Sequence, residues 1–224
     1  MKIKNLYIFL TIIIGCSNYT THAMAPQYNY HSAGVTPYAV DSTNKKWVLL
    51  GLEPLRGNQA FDFGGKKDPE DHNEPRYTAA REGTEELLFL LDDQTNFNRI
   101  VSIYNKHPRD FELYKANSTT YNSLREAMKT SPSSIARGYV TYFVKINYDP
   151  NIPQNFTDRR KSQRLPGSWI EKNQLVWIPV NDLIDALKKS QDDNAIYVRG
   201  IKIFPHVALS LRAALQNGTL AQLH

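Results

Sequence analysis

Three glutamates, Glu82, Glu85 and Glu86, stand at i, i+3 and i+4, a spacing that on a helix stacks carboxylates on adjoining positions. Like charges so placed repel by roughly a few tenths of a kcal/mol per pair unless something positive sits between them. A hard divalent cation fits: Mg²⁺ takes oxygen ligands, usually a few carboxylates completed by water and phosphate oxygens. Without a cation, one of the three is expected to hold a proton, because close acids titrate together. The bland alternative is an acidic helix face turned to solvent, which most charge runs are.

The surrounding stretch, Phe61 to Leu91, has the means to position them. Pro75 suits a first helical position, where its missing N–H has no partner to lose. From there Tyr77, Ala80, Thr84, Leu87, Leu88 and Leu91 recur at helical spacing and predict a core-facing stripe on a helix from about Pro75 to Leu91. Upstream, the strand-like run Phe61 to Phe63 leads into Gly64-Gly65-Lys66.

Glycine pair, lysine and the later Arg81-Glu82-x-x-Glu85-Glu86 together resemble the Nudix box, the signature of the Nudix hydrolase family. The resemblance is close over about thirty residues and looser over most of the chain beyond the N-terminal segment. It implies an α/β fold, a Nudix-like α/β/α sandwich with a mixed central sheet and inserted elements. It also implies Mg²⁺ or Mn²⁺ held by Glu82, Glu85, Glu86 and the Gly64 carbonyl, and a small-molecule diphosphate substrate.

The chain departs from the family pattern in four places. The interval from Gly65 to Arg81 is two residues longer, so Lys67–Asn73 carries an insertion. The glutamate that normally precedes the helix falls on Asn73, with Glu74 and Glu70 as replacements. Gly83 stands at the usual aliphatic position and Leu88 at the usual glycine. Arg81 is expected to orient Glu85 or Glu86 through a charge-assisted hydrogen bond. Glu86→Gln, on this view, relieves repulsion and leaves metal-free stability unchanged or raised.

The chain has 224 residues, 41% hydrophobic and 22% charged, which suits one generous globular domain. Residues 1–23 read as a signal peptide: Lys2 and Lys4 precede an apolar run from Leu6 to Ile14 that is too short to span a bilayer. Cleavage after Thr21-His22-Ala23 leaves a chain from Met24, exported to the periplasm or medium. Ile13-Ile14-Gly15-Cys16 offers the alternative of a lipoprotein anchored through Cys16, the single cysteine. Removing residues 1–23 removes two lysines and no acids, so the formal charge falls from +5 to +3. That suits an anionic substrate and is too weak to argue for nucleic acid.

Residues 24–31 read as a flexible lead-in, and 32–224 as a single domain with an insertion around 95–130. Ser32–Val40 and Lys46–Leu52 predict a hairpin across the turn Asp41–Lys45. Helical stretches are expected at Thr95–Lys106 and Tyr121–Met128, with a short strand at Phe111–Lys115 between them. Tyr139–Ile146 alternates and is rich in β-branched and aromatic residues, which predicts a central strand. Thr157 to Gly167 holds Arg159, Arg160, Lys161 and Arg164 in a polar run, read as a solvated loop or as a mobile arm over an anionic substrate. Leu175–Val180 predicts a late strand followed by a helix, Ser190–Asn194 a turn, Ala195–Arg199 an edge strand, and His206–Leu215 a closing helix.

By the resemblance, Glu171 in the loop before the late strand is a candidate general base. Arg56 and Lys66 are candidate phosphate contacts, with plain surface cations the alternative. The sequence has no CxxC, P-loop, GxSxG or HExxH motif, which removes zinc, kinase-like and serine-hydrolase readings. Two functions stay open: an exported Mg²⁺- or Mn²⁺-dependent hydrolase of a nucleoside diphosphate linked to another moiety, and a catalytically silent Nudix-fold module that binds a phosphorylated ligand or a protein. Substrate identity and oligomeric state are not legible.

Overall fold

A computed structural model describes residues 29–107, 117–162, 165 and 167–223. The expected signal peptide, Cys16, Arg164 and the strand at Phe111–Lys115 lie outside the described residues.

Strand β1 (Ser32–Val40) is the axis of the sheet. It runs parallel to β6 (Tyr139–Lys145) from Ser32↔Tyr139 to Tyr38↔Lys145. Its other edge is shared: Tyr38–Val40 pair with β2 (Lys46–Glu53), while Ser32–Val35 pair with β4 (Phe63–Lys66). The change of partner falls at Thr36 and Pro37, and Pro37 has no N–H to give to a ladder. In this fork the chain passes from β3 (Gln59–Phe61), paired with β2, into β4. β7 (Gln174–Pro179) covers the far edge of β2, and β5 (Ser133–Ala136) lies outside β6. The expected hairpin and late strand are present, and Tyr139–Lys145 is an interior strand.

Alternation along these strands separates two cores. Val35, Leu49, Phe63, Val140 and Val144 face one layer, with α1 (Pro75–Glu86), α2 (Gln94–Lys106), α3 (Thr119–Ala127) and Phe156 of α4 (Ile152–Ser162). Val48, Leu50, Phe143 and Ile178 face the other, with α5 (Val180–Lys189) and α6 (Pro205–Gln216). The result is a mixed sheet between helical layers, an α/β/α sandwich. The hairpin of β8 (Tyr197–Val198) and β9 (Ile201–Lys202) is a separate two-stranded sheet, tied to β3 by a bridge between Ala60 and Ile203.

Three expectations change. Helix α1 stops at Glu86 rather than Leu91, because Leu88 and Phe89 take positive φ values of 50° and 54° and turn the chain. Leu88 is fully buried there, at the position where the family pattern has glycine, while Leu91 is 43% exposed. The basic run at Thr157 is no loop: Arg159, Arg160 and Lys161 form the last turn of α4, where cations complement the helix dipole. At the end of the lead-in Tyr30 is buried and shares a 3.1 Å hydroxyl hydrogen bond with Thr78, and His31 N–H donates to the Gly138 carbonyl at 3.1 Å, so these two residues are held in place.

Candidate active site

The glycine pair brings helix and strand together. Gly64 and Gly65 lie within β4, opposite Gly34 and Ala33, rather than in a loop. A Cβ on Gly65 would meet the Glu82 carboxylate at 2.5 Å, and one on Gly64 would meet the Gly34 Cα at 2.5 Å. With neither present, the last turns of α1 set two carboxylates against the strand. Gly64 N–H donates to Glu86 Oε2 at 2.8 Å. Gly83, at the family's aliphatic position, leaves its space to a Val35 methyl from β1.

Arg81 does not orient Glu85 or Glu86, as the helical spacing had implied. Its guanidinium donates to Glu82 at 2.7 Å, to Asp71 at 2.9 and 3.2 Å, and to the Lys66 carbonyl at 2.8 Å. Asp71, missed in the sequence, is fully buried and also accepts from Thr78 at 2.8 Å and from Asp68 N–H at 2.9 Å. Burial works to raise its pKa, but Arg81 and these donors outweigh it and hold the carboxyl below its usual range. The two-residue lengthening thus folds into the turn Pro69–Asp71, which places Asp71, not Asn73, Glu74 or Glu70, beside Arg81. Asn73 instead accepts from Lys67 at 3.0 Å, Glu74 pairs with Arg76 at 3.2 Å, and Glu70 is exposed.

The three glutamates differ in their partners. Glu82 is held by Arg81. The Glu85 carboxylate has no hydrogen bond or ion pair among the described residues, and burial together with Glu82 pushes it up to about 8. Glu86 is 3% exposed; burial raises its pKa too, against the pull of a cation the sequence did not flag. That cation is Lys172, whose ammonium lies 2.9 Å from Glu86 Oε1 and also pairs with Glu53. Burial works to discharge Lys172, but the two carboxylates outweigh it and hold its pKa above the ordinary value.

The candidate base does reach this place. Carboxylate oxygens of Glu171, Glu86 and Glu53 all lie within 4.8 Å of one another. The pairing of β7 with β2, extended by Asn173 N–H donating to the Leu52 carbonyl at 2.9 Å, lays residues 171–172 over Gly51 to Glu53. Arg160 donates to the Lys172 carbonyl at 3.1 Å and ties α4 to the same loop. Arg159, by contrast, is turned to the carbonyls of Leu88, Phe89 and Asp92, so neither arginine forms a mobile arm. Lys66 and Arg56 are exposed, one at the end of β4 and the other in the turn Pro54–Arg56 after β2. No sequence motif marks Glu53 or Lys172; strand register alone brings them to the glutamates of α1.

Carboxylate oxygens are the donors a hard divalent cation takes. Among the described residues those that converge within 4.8 Å belong to Glu53, Glu86 and Glu171, and Glu82 and Glu85 are not in that group.

No protein-family model matches the sequence, and no curated protein matches it. Solved structures similar to the chain include a Nudix hydrolase from M. smegmatis, RenU, at 14% identity and a TM-score of 0.39, covering 87% of this chain and 88% of that one. A C. elegans Ap4A hydrolase in a binary complex is 16% identical with a TM-score of 0.33, over 69% of this chain and 82% of that one. A Nudix hydrolase from Alicyclobacillus acidocaldarius is 13% identical with a TM-score of 0.40, over 87% and 96%.

Proposed function

We propose that the protein is an exported, divalent-metal-dependent hydrolase that cleaves the diphosphate linkage of a nucleoside diphosphate joined to another moiety. The observation that carries the reading is the end of α1, where Glu82 and Glu86 are set against the Gly64-Gly65 strand and the Glu85 carboxylate has no ion pair among the described residues. Export rests on Lys2, Lys4 and the apolar run to Ile14.

Glu82, Glu85 and Glu86 would hold Mg²⁺ or Mn²⁺, which when bound screens phosphate oxygens and makes water a better nucleophile. Arg81 keeps Glu82 in place, and Asp71 keeps Arg81. Glu171, exposed at the rim, takes the proton of the attacking water as its oxygen joins phosphorus and the bridging P–O bond breaks. Lys66 and Arg56 are exposed cations available to the departing phosphate.

The test is hydrolysis of a panel of sugar nucleotides, dinucleotides, ADP-ribose, NADH and nucleoside triphosphates with Mg²⁺, with Mn²⁺ and in EDTA. Metal-dependent cleavage of a diphosphate is expected. Binding of a panel member without turnover in either metal would replace this reading with the silent module.

A further inference from the structure

Among the described residues Lys172 is the only lysine the fold buries. A buried ammonium needs partners, and this one has a prepared place. Its stem lies where a side chain on Gly51 would be: a Cβ there would meet Lys172 Cγ at 2.7 Å and Cδ at 2.8 Å. Its ammonium sits 4.9 Å from the centre of the Phe61 ring and pairs with both Glu86 and Glu53. Glu86 is then satisfied at both oxygens, by Lys172 on one and Gly64 N–H on the other.

Glu53, Glu86 and Glu171 are close enough together to take a cation themselves, yet a cation of the protein's own is already among them. A divalent ion entering the same space would stand against the ammonium, whose repulsion is strong where water is excluded. Glu82 is paired with the Arg81 guanidinium at 2.7 Å, whereas the Glu85 carboxylate has no ion pair among the described residues.

Resting on the metal-site reading above, we infer that Lys172 is a resident cation that occupies the Glu53–Glu86–Glu171 cluster and confines divalent metal to the side of the site where Glu85 stands, so that Glu86 meets a metal only from that side. The fold thereby sets how many metal ions the site takes, with one position filled by a tethered charge that cannot dissociate.

The test is Mn²⁺ titration of the metal-free full chain, following free Mn²⁺ by electron paramagnetic resonance. Lys172→Met is expected to take up one more Mn²⁺ per chain than wild type, or to hold the last one at least tenfold more tightly. Lys172→Arg, which keeps a charge, is expected to match wild type in number. Gly51→Ala, whose methyl crowds the lysine stem, shifts uptake in the direction of Lys172→Met and carries the test if that variant does not fold. In a Glu82→Gln, Glu85→Gln background, uptake is expected only when Lys172→Met is added. Equal number and affinity in wild type, Lys172→Met and Gly51→Ala overturns the inference, as does uptake by the doubly amidated chain with Lys172 intact. Wild-type diphosphate hydrolysis, measured alongside, separates the two readings. Cleavage with unchanged Mn²⁺ uptake sinks the lysine alone, and lysine-dependent uptake without cleavage sinks the hydrolase. No Mn²⁺ uptake by any of these proteins sinks both.

Discussion

At Glu86 a single neighbour reverses an expectation drawn from charge spacing. Three stacked glutamates imply that Glu86→Gln relieves repulsion, but Lys172 depends on Glu86 for one of its two ion pairs. The substitution is therefore expected to destabilise the metal-free protein by about 1–3 kcal/mol, the range for weakening a buried charged hydrogen bond, as measured by urea unfolding in EDTA. Equal or greater stability would mean that Glu53 alone suffices for the lysine. Glu85 gives the opposite sign. Its folded carboxyl, at about 8, lies above its usual value of 4.5, so the folded state holds a proton that the unfolded state releases. Its favourable contribution is present below about 4.5 and is lost as pH rises towards 8. In EDTA, Glu85→Gln should match wild type at pH 5, exceed it at pH 8, and show a flatter melting profile between. Parallel profiles for the two proteins would remove Glu85 as the source of the slope.

At the scale of elements, the two glycines of β4 do different work. Gly64→Ala sets a methyl against the Gly34 Cα and the Ala33 carbonyl, and neither backbone can retreat without opening the sheet. A loss near the upper end of the roughly 1–3 kcal/mol seen for overpacking is expected. Gly65→Ala meets the carboxylate end of Glu82, the far end of a side chain rather than backbone, which can shift by loosening its 2.7 Å pair with Arg81. Stability should fall less than in Gly64→Ala while Mn²⁺ affinity drops. Thermal melts and Mn²⁺ titration of the two variants check the contrast, and a large stability loss in Gly65→Ala would refute it. A like trade ends helix α1: the strain of Leu88 at φ 50° is of order 1–2 kcal/mol for a left-handed residue, less than the roughly 2–5 kcal/mol lost when a buried leucine is emptied to alanine.

Across the whole molecule, the site is a meeting of three parts of the chain. The strand–helix unit from Phe63 to Glu86 brings the glutamates, β2 brings Glu53, and the loop before β7 brings Glu171 and Lys172. Arg160 reaches that loop from α4 through one hydrogen bond to the Lys172 carbonyl. Arg160→Met is therefore expected to lower kcat by about tenfold to a hundredfold, the scale of a misplaced catalytic group, while stability moves by less than about 1 kcal/mol because the side chain is half-buried. Steady-state kinetics on the best panel substrate, with melts of both proteins, read this out. Unchanged kcat would show that the loop holds Glu171 without its tie to α4.

How much of this was legible in the sequence follows from how local each signal is. The hairpin, the interior strand at Tyr139, the late strand and helix, and the glutamates of α1 were legible because hydrophobic period and i, i+3, i+4 spacing are properties of neighbouring residues. Glu171 was found only through a resemblance, as a loop residue with no period of its own. The end of α1 was misplaced because a leucine continues a helical stripe as well as it turns the chain at positive φ once burial compensates the strain. The basic run at Thr157 looked like a loop because its apolar anchors, Ile152 and Phe156, are few, and packing on the sheet rather than amphipathic pattern decides that it is a helix. Asp71, Glu53 and Lys172 were beyond reach for a physical reason. Their roles come from a turn that buries one acid under Arg81, and from the register of β7 on β2, which sets a lysine over a glycine more than a hundred residues away. The sequence by itself determined the spacing of the glutamates on α1; the tertiary structure decided that a buried lysine of the chain pairs with one of them and with Glu53.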